Sequence, residues 1–69
     1  MKTISIVVNS QPRRVASATG LLQLIEELGL SPNATLVERN GKVVLREEYP
    51  QTTLAEGDRL EFIRIVGGG

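Results

Sequence analysis

The chain reads as a small α+β domain, one helix laid across a mixed sheet of four to five strands. Three observations predict this. Most apolar residues alternate with polar ones at period two, the mark of half-buried strands. One stretch, residues 21–28, instead repeats at three and four. Asn40-Gly41 separates two short apolar runs, a strong hairpin signal because both residue types tolerate positive φ. The resulting order, strand, strand, helix, strand, strand, strand, packs as two layers around one core.

Ile4, Ile6 and Val8 alternate with Thr3, Ser5 and Val7, so residues 2–8 form a first strand with the even positions inward. Asn9-Ser10 is a turn, and residues 13–16 return as a second strand with Val15 facing the core. Arg13 and Arg14 read as a solvated edge that discourages pairing with other chains. Thr19 is placed to cap the helix. Leu21, Leu24, Ile25 and Leu28 form one helical stripe, widened by Leu22, while Glu26 and Glu27 lie off it. Gly29 suits the left-handed position that ends a helix. So short a helix is unstable alone and must pack on the sheet.

After a connection at Leu30-Ser31-Pro32-Asn33, residues 35–39 form the third strand, with Leu36 and Val37 its apolar pair. Residues 42–45 return across the hairpin. Residues 46–50 are irregular or a single helical turn, where Tyr49 covers the core with its hydroxyl at the surface. Glu56-Gly57-Asp58 turns into the last strand, residues 59–65. Leu60 and Phe62 face inward there, Ile63 and Ile65 share the outer face with Arg59 and Glu61, and Arg64 falls on the inner side near the strand's end. Residues 1–66 thus make the domain and residues 67–69 a flexible glycine tail.

A domain of 69 residues buries only about 60% of its unfolded surface, which leaves little room for an enclosed active site. With no Cys, disulfides, thiolate metal sites and a cysteine nucleophile are excluded. With no His, the commonest general base and metal ligand are gone, and no Ser or Thr can join a triad. Glu47 and Glu48 are adjacent and point apart, whereas general acid–base work needs facing groups. Neither a metal site nor an enzyme active site is expected. Eight basic and eight acidic residues cancel, so no field draws in nucleic acid or an anionic membrane. No apolar run approaches the ~20 residues that span a bilayer. The start, Met1-Lys2-Thr3, leads straight into a strand pattern and not a signal peptide, so the expected location is the cytoplasm.

The remaining candidate for chemistry is the end of the chain, Ile65-Val66-Gly67-Gly68-Gly69. Glycines lack a Cβ and can thread a narrow slot, and at roughly 3.3–3.6 Å per residue they carry a carboxylate well clear of the fold. They have no following Lys or helix N-terminus and so are not a phosphate loop. A carboxylate is a poor acyl donor until attack on the α-phosphate of ATP converts it to an acyl-adenylate with AMP as leaving group. A sulfur nucleophile could then displace AMP and leave a thiocarboxylate. With no ATP site in the chain, a partner must supply one. The bland alternative is a frayed terminus or leftover linker.

Leu36-Val37-Glu38-Arg39-Asn40, Arg46-Glu47-Glu48-Tyr49, Glu56-Gly57-Asp58 and the run Glu61 to Gly69 resemble the ThiS family of thiamin-biosynthesis sulfur carriers, which have the ubiquitin-like β-grasp fold. The similarity covers essentially the whole chain, and the third glycine is a variation on a Gly-Gly ending. The resemblance implies that an E1-like, ThiF-like enzyme adenylates Gly69 with ATP, that a cysteine desulfurase relay supplies sulfur, and that a ThiG-like thiazole synthase receives it. It implies no bound cofactor. Gly67, Gly68 and Gly69 would enter the partners' active sites, and Ile63, Ile65 and Val66 are candidates for docking. Open alternatives are a carrier for another pathway (MoaD-like molybdopterin synthesis, or cysteine or tRNA thiolation), a ubiquitin-like modifier, and a β-grasp interaction module with an inert tail.

Overall fold

The computed structural model of the chain describes residues 2–65. Strands β1 (Thr3–Val8) and β2 (Gln11–Ala16) form a hairpin, followed by helix α1 (Leu21–Glu27), strands β3 (Thr35–Arg39) and β4 (Lys42–Val44), and β5 (Arg59–Arg64). Short 3-10 turns, Pro32–Ala34 and Arg46–Gln51, fill the connections before β3 and after β4. The five strands form one sheet in the order β2-β1-β5-β3-β4. The central pair, β1 and β5, is parallel, and the other neighbours are antiparallel. With the helix on one face, this is the β-grasp architecture that the motifs imply.

Both hairpins have two-residue turns whose central residues lie at positive φ. Val8 pairs with Gln11 around Asn9 (φ 48°) and Ser10 (φ 69°), and Arg39 pairs with Lys42 around Asn40 (φ 53°) and Gly41 (φ 85°). Positive φ at both positions matches the right-handed twist of the flanking strands, which is why Asn-Gly works so well there. β2 begins at Gln11, earlier than its apolar pattern reveals, because backbone pairing extends through polar residues right up to the turn.

The core holds Ile6, Val8 and Val15 from the first hairpin, Leu21, Leu24 and Ile25 from α1, Val37 and Val44 from the second hairpin, and Leu60 and Phe62 from β5. Tyr49 and Leu54 close its side. The three helix residues are fully shielded from solvent, each contributing about 2 kcal/mol relative to an exposed side chain. That burial holds a helix of seven residues whose isolated form would be unstable. Gly29, at φ 74°, follows the C-cap Leu28 and donates its N–H to the carbonyl of Glu26. The left-handed C′ glycine expected from sequence is therefore present.

Two expectations are corrected. Thr19 does not cap α1; the N-cap is Gly20, with no side-chain capping bond. The Thr19 hydroxyl points back along the chain and donates to the carbonyl of Ala16 at 2.6 Å. The first helical N–H, from Leu21, is satisfied instead by the carbonyl of Thr52 at 2.8 Å, so a tertiary contact takes the place of the cap. Tyr49 does not show its hydroxyl to solvent either. It is 2% exposed, and its hydroxyl donates to the carbonyl of Thr35 at 2.8 Å. The 3-10 turn carries the ring inward, and a buried phenol then requires a polar partner.

Candidate functional site

β5 leads to the chain's glycines, and two asparagine side chains from the two hairpin turns hold it. Asn9 Oδ1 accepts the N–H of Phe62 at 2.8 Å. Asn40 Oδ1 accepts the N–H of Arg59 at 2.9 Å. Each asparagine thus sets a turn with its backbone and braces β5 with its side chain. The Ile65 N–H continues the ladder beyond the strand, donating to the carbonyl of Ala34 at 2.8 Å. The route to the terminal residues is consequently an extension of the most central part of the sheet.

The start of β5 is anchored by Asp58, only 5% exposed. Its carboxylate pairs with the Arg39 guanidinium at 2.9 Å and accepts bonds from Arg39 Nε at 3.0 Å, Asn40 Nδ2 at 3.1 Å and the Ala55 N–H at 2.8 Å. Burial by itself would raise the carboxyl pKa. The hydrogen bonds from Ala55, Asn40 and Arg39, with the Arg39 charge, outweigh burial and hold it below its ordinary value. Four donor contacts on one buried acid describe a fastening between hairpin and strand.

The outer face of the sheet, opposite α1, is where β5 presents apolar side chains. Ile63 and Ile65 are each 45% exposed, as parity predicts. Ile63 pairs with Leu36, which is half-buried, so Leu36 and Val37 point to opposite faces and are not one apolar pair. Glu38 pairs with Val43, which is 54% exposed. Leu45, 53% exposed, directly follows β4 in extended backbone, and continuing the β3–β4 register by one residue sets it on the face of Leu36 and Val43. Ile63, Ile65, Leu36, Val43 and Leu45 therefore share one face at the end of the sheet from which the terminal residues leave. Sequence reading finds the two isoleucines and misses the other three, because only strand register shows that they line up. Arg64, on the alternate side, pairs with Thr35 and is exposed at the strand's end.

The expected docking residue Val66 and the tail residues Gly67, Gly68 and Gly69 lie outside the described residues, as does the proposed boundary between domain and tail. Glu47 and Glu48 stay apart: Glu48 accepts the Leu45 N–H at 3.1 Å and closes the 3-10 turn, while Glu47 is exposed. Arg14 lies on the outer face and donates to Thr3 Oγ1 and Ser5 Oγ, and Arg13 is exposed. Among the described residues no group of three or more Asp or Glu side chains is placed to hold a metal ion. Nor is any helix among them long and apolar enough to cross a membrane.

Comparison with known proteins matches residues 6–69 to the ThiS family. The chain is 35% identical over 52 residues to the sulfur carrier protein ThiS of Bacillus subtilis, covering 74% of this chain and 79% of that protein. It is 32% identical over 66 residues to a thiazole synthase of Paramagnetospirillum magneticum, covering 96% of this chain but spanning only 20% of that relative's length. Among solved structures, it superposes on the thiamine biosynthesis protein (ThiS) of Geobacter metallireducens with a TM-score of 0.82 at 33% identity, covering 96% of this chain and 100% of that one. With the fold, the motifs and a family match reaching from β1 to the terminal glycine in agreement, this chain belongs to the ThiS family.

Proposed function

We propose that this chain is a sulfur carrier that holds sulfur as a thiocarboxylate on Gly69 and delivers it to the thiazole moiety of thiamin. The observation that carries the reading is the exposed pair Ile63, on β5, and Ile65, just beyond it, followed in sequence by Val66-Gly67-Gly68-Gly69 in a chain whose family match extends through residue 69. A braced strand supplies a fixed origin, an apolar face supplies contact with a partner, and glycines supply a strip of backbone slim enough for an active-site channel.

One carboxylate oxygen of Gly69 attacks the α-phosphorus of ATP. The bond between the α- and β-phosphates breaks, pyrophosphate leaves, and an acyl-adenylate forms. Sulfide adds to the acyl carbon, and AMP departs with the electron pair of the carbon–oxygen bond, leaving the thiocarboxylate; a persulfide from the relay instead gives an acyl disulfide, whose sulfur–sulfur bond a second thiol cleaves to release the thiocarboxylate and a disulfide. The chain is a protein co-substrate in both steps and not their catalyst. ATP belongs to an E1-like, ThiF-like adenylating enzyme, and a cysteine desulfurase relay supplies the sulfur. The acceptor is a ThiG-like thiazole synthase. A segment similar to this chain occurs inside a protein called thiazole synthase, which supports that pairing. These reactions belong to the cytoplasm, where ATP is available.

Intact-mass measurement tests the reading. After incubation with the adenylating enzyme, ATP and a sulfide source, the chain should gain the mass of one oxygen-for-sulfur exchange, localised to Gly69. An unchanged mass, with an enzyme shown to be active on another carrier, would contradict it and leave an inert interaction module.

A further inference from the structure

The turn Asn40-Gly41 carries chemistry of its own. Of the asparagines Asn9, Asn33 and Asn40, only Asn40 is followed by glycine. An asparagine carboxamide lies one ring closure from the backbone nitrogen of the next residue. A side chain on that residue crowds the nitrogen, and glycine has none. The Gly41 nitrogen adds to Cγ of Asn40, the Cγ–Nδ2 bond breaks, and the Gly41 amide proton leaves on the departing ammonia. The product is a five-membered imide. Water opens it at either carbonyl, returning a proton to nitrogen and leaving aspartate or isoaspartate. Asn40 and Gly41 are both exposed, so water has access.

The fold opposes the closure in two ways. Oδ1 of Asn40 accepts the Arg59 N–H at 2.9 Å, and Nδ2 donates to Asp58 Oδ1 at 3.1 Å. Both ends of the carboxamide are thus committed to the start of β5, and the Asn40 N–H adds a bond to the Arg59 carbonyl at 2.8 Å. The backbone opposes it as well. With φ of 53° and 85°, the turn is the mirror image of type I, in which ψ at the first central residue is about +30°. That sets the Gly41 nitrogen nearly opposite Cβ of Asn40, whereas ring closure needs the two on the same side.

We propose that Asn40 is a latent deamidation site, held shut by its bonds to β5 and exposed to reaction whenever the second hairpin comes free of that strand. The reaction makes the release permanent. Aspartate at this position sets a second carboxylate against Asp58, which is 5% exposed and now receives a donor there. Isoaspartate adds a methylene to a two-residue turn and disrupts the pairing of Arg39 with Lys42. Either product removes the Nδ2 donor from the fastening at the start of β5. The turn is therefore a one-way record of opening, and chemical damage to this chain follows its unfolding.

The test is the rate at which the full chain deamidates at Asn40, at mildly alkaline pH, in buffer and in denaturing guanidinium chloride. Intact mass and peptide mapping that separates aspartate from isoaspartate follow it. The rate in buffer should be at least about tenfold lower, because it scales with the population of open hairpin. Asp58→Ala, verified as folded by circular dichroism, should deamidate at Asn40 severalfold faster than wild type in buffer and no faster in denaturant. Asn40→Asp, the product made directly, should melt about 5–10 °C below wild type. Equal rates in buffer and denaturant overturn the proposal, as does a folded Asp58→Ala chain that reacts no faster than wild type. Asn40→Asp melting as high as wild type overturns the claim that the reaction prevents refastening. Should Asp58→Ala fail to fold, the wild-type rates and the Asn40→Asp melt decide the matter.

Discussion

At the scale of single residues, Asp58 and Tyr49 show how a thin core is supplemented by buried polar contacts. Asp58 fastens the second hairpin to the start of β5 through Arg39, Asn40 and Ala55. Its pKa is held low in the folded chain, so its contribution to stability is complete above the unfolded carboxyl's value near ~3.9 and is lost as pH falls through the lower folded value. Asp58→Asn should lower stability at neutral pH by about 1–3 kcal/mol, and the gap from wild type should shrink below about pH 4. Urea titrations at neutral and acid pH check both statements. Tyr49→Phe removes the donor to the buried Thr35 carbonyl and should cost about 1 kcal/mol in the same assay.

At the scale of elements, alternation and the helical stripe were enough to place every strand and the helix. Burial of Ile6, Val8, Val15, Leu24, Ile25, Leu60 and Phe62 follows the faces those periods define. What stayed hidden was contact between segments distant in sequence. Thr19 looks like a cap in isolation, but Thr52 lies thirty-three positions further on and supplies the carbonyl that the helix start needs. Asn9 and Asn40 read as turn residues, which they are, yet their side chains brace a strand that follows much later. Gly20 leaves room for improvement. Its backbone is extended at φ −84°, and an added Cβ would meet nothing nearer than the Thr52 carbonyl at 3.6 Å, an ordinary contact. Gly20→Ser should therefore raise stability by roughly 0.3 kcal/mol through a new capping bond, read as a small rise in melting temperature.

At the scale of the whole molecule, the sheet has two faces with different duties. One is covered by α1 and forms the core. The other ends in an uncovered apolar stripe. Sequence parity located Ile63 and Ile65 on that second face, whereas Leu36, Val43 and Leu45 joined them only once the strand order and register were known. Ile63→Asp should reduce affinity for the partner enzymes by about tenfold or more, since it sets a charge in an apolar contact, while changing the melting temperature little. Comparing pull-down titrations with thermal melts of the same variant separates these effects.

The proposed role of the Gly69 carboxyl as the group that carries sulfur leads to one decisive comparison. Two forms of the chain, one with a free Gly69 carboxyl and one capped there by an amide, are supplied with adenylating enzyme, ATP, labelled sulfide and thiazole synthase. Label should reach the acceptor from the free acid and not from the amide. Equal transfer from both forms would contradict the assignment of Gly69 as the group that carries sulfur.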